Sequence, residues 1–72
     1  MNPLSPTALR THRKQRRLTQ RALAGASGVP EKIIQRLETG TYRHDPGIGT
    51  ALRLAGALGV RVEVLINQGE TE

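Results

Sequence analysis

Glycine and proline divide this chain into segments too short for any long helix. Pro6, Pro30 and Pro46 stand where helices can begin, and Gly28, Gly40 and Gly59 where they can end. Proline suits the first helical position because the N–H it lacks has no partner there, and glycine takes the left-handed angles of a sharp exit turn. Ser5-Pro6 predicts a cap and first turn for helix 1 over about Pro6 to Arg16, whose apolar stripe is only Ala8 and Leu9. Thr19 predicts the cap of helix 2, where Ala22, Leu23 and Ala26 fall at helical spacing. No Glu or Gln at position 22 completes a capping box there. Pro30 and Glu31 open helix 3, which runs to about Thr39, and Asp45-Pro46 or Gly47 opens helix 4. Helix 4 carries Ile48, Ala51, Leu54, Ala55 and Leu58 along its expected inner face.

The segment Val60 to Ile66 reads two ways. Its alternation and β-branched residues favour a strand, yet a lone strand has nothing obvious to pair with in this chain, which leaves a fifth helix. The expected fold is all-α, a compact bundle of about five short helices. Residues 1–5 read as a disordered lead-in, 6–66 as the folded domain and 67–72 as a polar tail.

Seventy-two residues suffice for one domain. The apolar set is 26 residues, seven of them Ala, with no Phe or Trp, so the core is thin and a deep catalytic pocket is not expected. No Cys is present, which excludes disulfide scaffolds and Cys-ligated metal centres. No apolar run approaches the roughly 20 residues of a membrane span, and Met1 to Ser5 lacks the features of a secretory signal. The expectation is a soluble, cytoplasmic protein.

Charge is distributed unevenly. Residues 1–43 hold nine basic and two acidic side chains (+7), and residues 44–72 hold two basic and four acidic ones (−2). Arg10, Arg13, Lys14, Arg16, Arg17 and Arg21 lie within twelve residues with no acid among them. A solvated surface accounts for such charges in general, but self-repulsion at this density points to a polyanionic partner, above all nucleic acid.

Two short helices around Gly28 have the spacing of a helix-turn-helix, whose second helix can enter the major groove while the first braces it. Structural hairpins share that spacing. Within helix 3, Ile33, Ile34 and Leu37 fall on one side, while Glu31, Lys32, Gln35 and Arg36 fall on the other. Each of these four ends in groups able to meet base edges: Arg or Lys at guanine, Gln at adenine, Glu at cytosine N4. An ordinary amphipathic helix with a solvated face has the same pattern.

Together, Leu18-Thr19-Gln20-Arg21-Ala22-Leu23-Ala24, Gly28-Val29, Ile34, Leu37-Glu38-Thr39-Gly40, Pro46, Ile48, Leu54-Ala55, Ala57-Leu58-Gly59-Val60 and Leu65 resemble the phage repressor and Cro-type helix-turn-helix family, the XRE-like regulators. The resemblance spans roughly residues 9 to 66. It implies a lambda-repressor-like five-helix domain that binds operator DNA, usually as a symmetric dimer. Carried onto this chain, it places Glu31, Lys32, Gln35 and Arg36 against bases. Thr19, Gln20 and Arg21 at the start of helix 2, with Tyr42 and Arg43 in the loop after Gly40, fall to the DNA backbone. Tyr42 has a second reading as a partial core plug. Arg13 and Glu38 match a structural ion pair tying helix 1 to the end of helix 3. Lys14, Arg16 and Arg17, with Arg21, read as a general electrostatic field.

Several residues depart from the family pattern. Pro30 replaces a common Ser or Thr cap, Arg17 a frequent glycine, and His12 a usual apolar residue, for which a partly buried neutral histidine is the expectation. Glu31 sets a negative charge on a face meant for phosphates. His44 and Asp45 are too sparse to bind a metal. No residue set resembles an activated nucleophile with its base, and Gly47-Ile48-Gly49 is no phosphate loop. The implied function is a sequence-specific transcriptional regulator, a repressor, without cofactor or catalysis, acting as a homodimer on a pseudopalindromic operator in double-stranded DNA. Two rivals use the same fold: an antitoxin that also holds a toxin, marked by strand geometry at Val62 to Leu65, and a protein-interaction module that does not read DNA.

Overall fold

The computed structural model describes residues 4–42 and 44–66. Four α-helices follow one another, α1 (Pro6–Gln15), α2 (Gln20–Ser27), α3 (Glu31–Thr39) and α4 (Gly47–Leu58), and a single 3-10 turn (Val62–Leu65) closes the order. Local chemistry explains each start. Ser5 Oγ accepts from Ala8 N at 3.2 Å and Thr19 Oγ1 from Ala22 N at 2.9 Å, each satisfying a first-turn donor. Pro30 and Pro46 cap α3 and α4 without a side-chain hydrogen bond.

The fifth helix is corrected to one turn. Val62-Glu63-Val64-Leu65 is too short and too β-branched to hold an α-helix, and it winds just far enough to sink Leu65 fully into the core. It is not a strand either, so the strand mark of an antitoxin is absent at Val62 to Leu65. Ile66 instead forms an isolated antiparallel bridge with Leu4, and Ser5 N donates to Leu65 O at 2.7 Å. The partner that Val60 to Ile66 lacked is therefore the start of the chain. The expected lead-in is corrected at Leu4, which is buried, while Ser5 caps α1 as Ser5-Pro6 predicts. The remainder of the lead-in, residues 1–3, and the polar tail, 67–72, lie outside the described residues.

α1 packs on α3, α2 on both α3 and α4, and the 3-10 turn on α4 and α1. Leu9, Leu23, Ile34, Leu37, Leu54 and Leu58 fill the centre with Leu4 and Leu65. α1 has only two buried side chains, Leu9 and Arg13, four residues apart on one face. Its inner surface is thus half hydrocarbon and half ion pair. On α4, Ala51, Leu54, Ala55 and Leu58 face inward as expected, but Ile48 points outward and is exposed. The inward direction is set by α2 and the 3-10 turn, and Ile48 lies at the edge of that arc. No helix among the described residues is long and apolar enough to cross a membrane.

Arg17 has φ 58, the one non-glycine residue with positive φ among those described. It occupies the turn between α1 and α2. A side chain in this region costs about 1–2 kcal/mol, of which glycine's extra freedom when unfolded returns part. Arg17→Gly is therefore expected to raise unfolding free energy by about 1 kcal/mol in a urea titration. A variant no more stable than the parent would mean that the arginine side chain compensates its own strain.

Candidate nucleic-acid interface

α2 ends at Gly28, whose φ of 79 reverses the chain while its N–H donates to Ala24 O. Val29 drops into the core, with its N–H held by Ser27 Oγ at 3.1 Å, and Pro30 sets the direction of α3. This turn holds α3 against both α1 and α2. Ile34 and Leu37 are fully buried and Ile33 half-buried, so the opposite side of α3 is forced outward. Lys32, Gln35 and Arg36 are exposed and Glu31 is half-buried at the first turn. The four expected base readers thus fall on one ridge, three of them exposed.

Beneath the C-terminal end of α3 lies a charged knot. Arg13 Nε donates to Glu38 Oε2 at 2.6 Å and Arg13 Nη2 to Glu38 Oε1 at 2.9 Å, a bidentate pair with both residues buried. Arg13 Nη1 donates to Leu18 O at 2.8 Å. Gln20 Nε2 donates to Glu38 Oε1 at 3.1 Å, and Arg10 Nη1 to Glu38 O at 3.3 Å. One carboxylate therefore joins α1, the start of α2 and the end of α3, fixing how far α3 stands out from the body.

Gln20 reaches from the start of α2 to the end of α3. Gln20 is half-buried and its amide donates to Glu38, which fixes its orientation. Thr19 is exposed and engaged as the helix cap, and Arg21 is exposed. Tyr42 is half-buried, packs against the core and meets the His44 ring edge-on at 6.1 Å, so the core-plug reading describes part of its surface. Arg43 lies outside the described residues.

The dense basic run is less uniform than its sequence suggests. Besides the internal engagements of Arg10 and Arg13, the Arg16 guanidinium rests against Gly59 at the C-terminus of α4, where a Cβ would stand 3.1 Å from its Nη2. A cation is favourable at that end of a helix. Part of the self-repulsion is thus offset inside the fold. Lys14, Arg17 and Arg21 remain as exposed positive charge. His12 is half-buried on α1. Asp45 Oδ1 accepts from Gly47 N at 2.8 Å, and no group of three potential metal ligands occurs among the described residues. A cleft of about 430 Å³ lies between the α1–α2 turn and α4, lined by Gln15, Arg16, Arg17, Leu18, Ala26 and Ala57. None of these side chains is a nucleophile or a general base at neutral pH.

A family model described as helix-turn-helix matches residues 9–65, most of the chain and all of the ridge, the turn and the charged knot. No curated protein matches the chain.

Proposed function

Because the chain belongs to the XRE-type helix-turn-helix family and is a DNA-binding regulator of that type, we propose that it is a repressor that reads a specific operator with α3. Lys32, Gln35 and Arg36 enter the major groove beside Glu31, and Thr19, Gln20, Arg21, Tyr42 and Arg43 hold the phosphates. The observation that carries this reading is the outward presentation of Lys32, Gln35 and Arg36 above the buried Ile34 and Leu37. Two copies on a pseudopalindrome would set half-sites about one helical turn, roughly 34 Å, apart. Occupancy of a promoter in cytoplasmic DNA then blocks polymerase. Glu31 repels phosphate and so weakens binding at random sequence while favouring a cytosine in the cognate site.

The test is a site selected from random DNA, then a comparison of two variants. Arg36→Ala is expected to weaken the selected site by roughly 1–3 kcal/mol and to relax the choice of one base. Gln20→Ala should weaken selected and random DNA alike. Because Gln20 also bonds Glu38, the variant should lose about 1 kcal/mol of stability as well, which a melt reads separately. Normal binding of both DNAs by both variants would remove α3 from the interface. The toxin-partner and protein-interaction readings have no observation in their favour. Co-purification with a partner would mark the first, and weak sequence-independent DNA binding the second.

A further inference from the structure

The cleft between the α1–α2 turn and α4 takes no part in reading DNA, and no residue of α3 lines it. Its volume of about 430 Å³ falls within the range of roughly 300–1,000 Å³ that small-molecule sites occupy. Two chemistries meet there. Leu18 and Ala57 are half-buried and pack against the core, and with Ala26 they line the cleft with hydrocarbon. Arg16 and Arg17 bring two positive charges to the same walls, and Gln15 a neutral amide. Among the described residues neither guanidinium has a hydrogen-bond or ion-pair partner, whereas those of Arg10 and Arg13 are engaged. Each is a planar fork of N–H donors that matches a carboxylate.

The walls are held in place by the fold. Leu18 N donates to Arg13 O at 3.1 Å, and Leu18 O accepts from Arg13 Nη1 at 2.8 Å, so the buried Arg13 pins one side. The Arg16 guanidinium rests against Gly59. Arg17 keeps φ 58, an angle that glycine would take without strain. Side chains held in this backbone region concentrate at ligand clamps and active sites, where their role outweighs the strain. We propose that the cleft binds a small organic acid, its carboxylate on Arg16 and Arg17 and a compact apolar body on Leu18, Ala26 and Ala57. The apolar lining argues against a DNA phosphate as the occupant, since a phosphodiester satisfies the arginines and leaves the hydrocarbon unmatched. The inference is independent of the operator reading, which assigns other residues to DNA.

A heteronuclear NMR titration of the full chain with phenylbutyrate, without DNA, tests it. About twelve heavy atoms at ordinary ligand efficiency give a dissociation constant in the millimolar range. The backbone amides of Gln15, Arg16, Arg17, Leu18, Ala26 and Ala57 should shift together and saturate, while those of α3 stay unmoved. Inorganic phosphate and the uncharged phenylbutanol, each with half of the required chemistry, should bind at least about tenfold more weakly. Arg17→Gly and Arg16→Gln should each weaken phenylbutyrate binding about tenfold or more, the usual effect of losing a hydrogen bond to a charged group. Arg17→Gly should do so with a thermal melt at or above the parent's, which separates loss of the ligand contact from loss of the fold. The absence of saturable shifts at these amides, or a folded Arg17→Gly that binds as the parent does, overturns the proposal. So does phosphate binding as tightly as phenylbutyrate, which would assign the two arginines to the DNA backbone instead.

Discussion

Glu38→Ala should unfold most of the chain at room temperature. The substitution removes three side-chain acceptor contacts at once, from Arg13 Nε, Arg13 Nη2 and Gln20 Nε2. Arg13 would keep one bond, to Leu18 O, and its charge would stay buried without a counterion. Breaking a buried pair from one side costs about 3–5 kcal/mol because the surviving charge is uncompensated. A domain of this size holds roughly 3–5 kcal/mol in all, so the loss is comparable to the whole. Circular dichroism in a urea titration reads it directly. The double substitution Arg13→Met/Glu38→Leu should recover much of the stability, since hydrophobic residues of similar volume commonly replace a buried pair without loss. Should Glu38→Ala unfold within about 1 kcal/mol of the parent, the knot under α3 would not be what holds α1 and α3 together.

Affinity for DNA should collapse over a modest rise in salt. Each phosphate neutralised contributes a slope of about −0.9 in log affinity against log salt. Lys14, Arg17, Arg21 and Lys32 are exposed positive charges, Lys32 on the ridge itself. Two copies that together neutralise about six to ten phosphates lose about 10³–10⁵ in affinity between 50 and 200 mM salt. Fluorescence anisotropy on selected and random DNA at four or five salt concentrations measures both slopes. They should be steep and similar, with the selected site displaced upward by its base contacts. A slope near zero would mean that the basic residues do not meet phosphate, whatever α3 does.

The α3 ridge was readable because helical periodicity is local: Ile34 and Leu37 choose the buried side, and Lys32, Gln35 and Arg36 follow at neighbouring spacings. Caps at Ser5 and Thr19 and the exits at Gly28, Gly40 and Gly59 were readable for the same reason, each depending on a few adjacent residues. Arg13 with Glu38 was suggested through the family pattern alone, since no periodicity relates residues 25 apart.

Other features had no local signal. Leu4 is a single apolar residue between prolines, and only contact with Ile66 at the far end of the chain makes it core. The Gln20 amide could face solvent, phosphate or protein until Glu38 arrived beside it. Ile48 fitted the inner arc of α4 on a helical wheel, yet the directions of α2 and the 3-10 turn leave it outside. Arg16 read as one more surface cation until the end of α4 came to lie beneath it.

Taken alone, the order of amino acids settled where helices start and stop and which side of α3 is polar, because those choices are made over one or two turns of backbone. Tertiary packing decided that Leu4 meets Ile66, where Gln20 spends its donor, where the Arg16 guanidinium rests, and which apolar side chains stay uncovered. Those outcomes depend on surfaces brought together from distant parts of the chain, and the free energy of burial belongs to the pair of surfaces rather than to either segment.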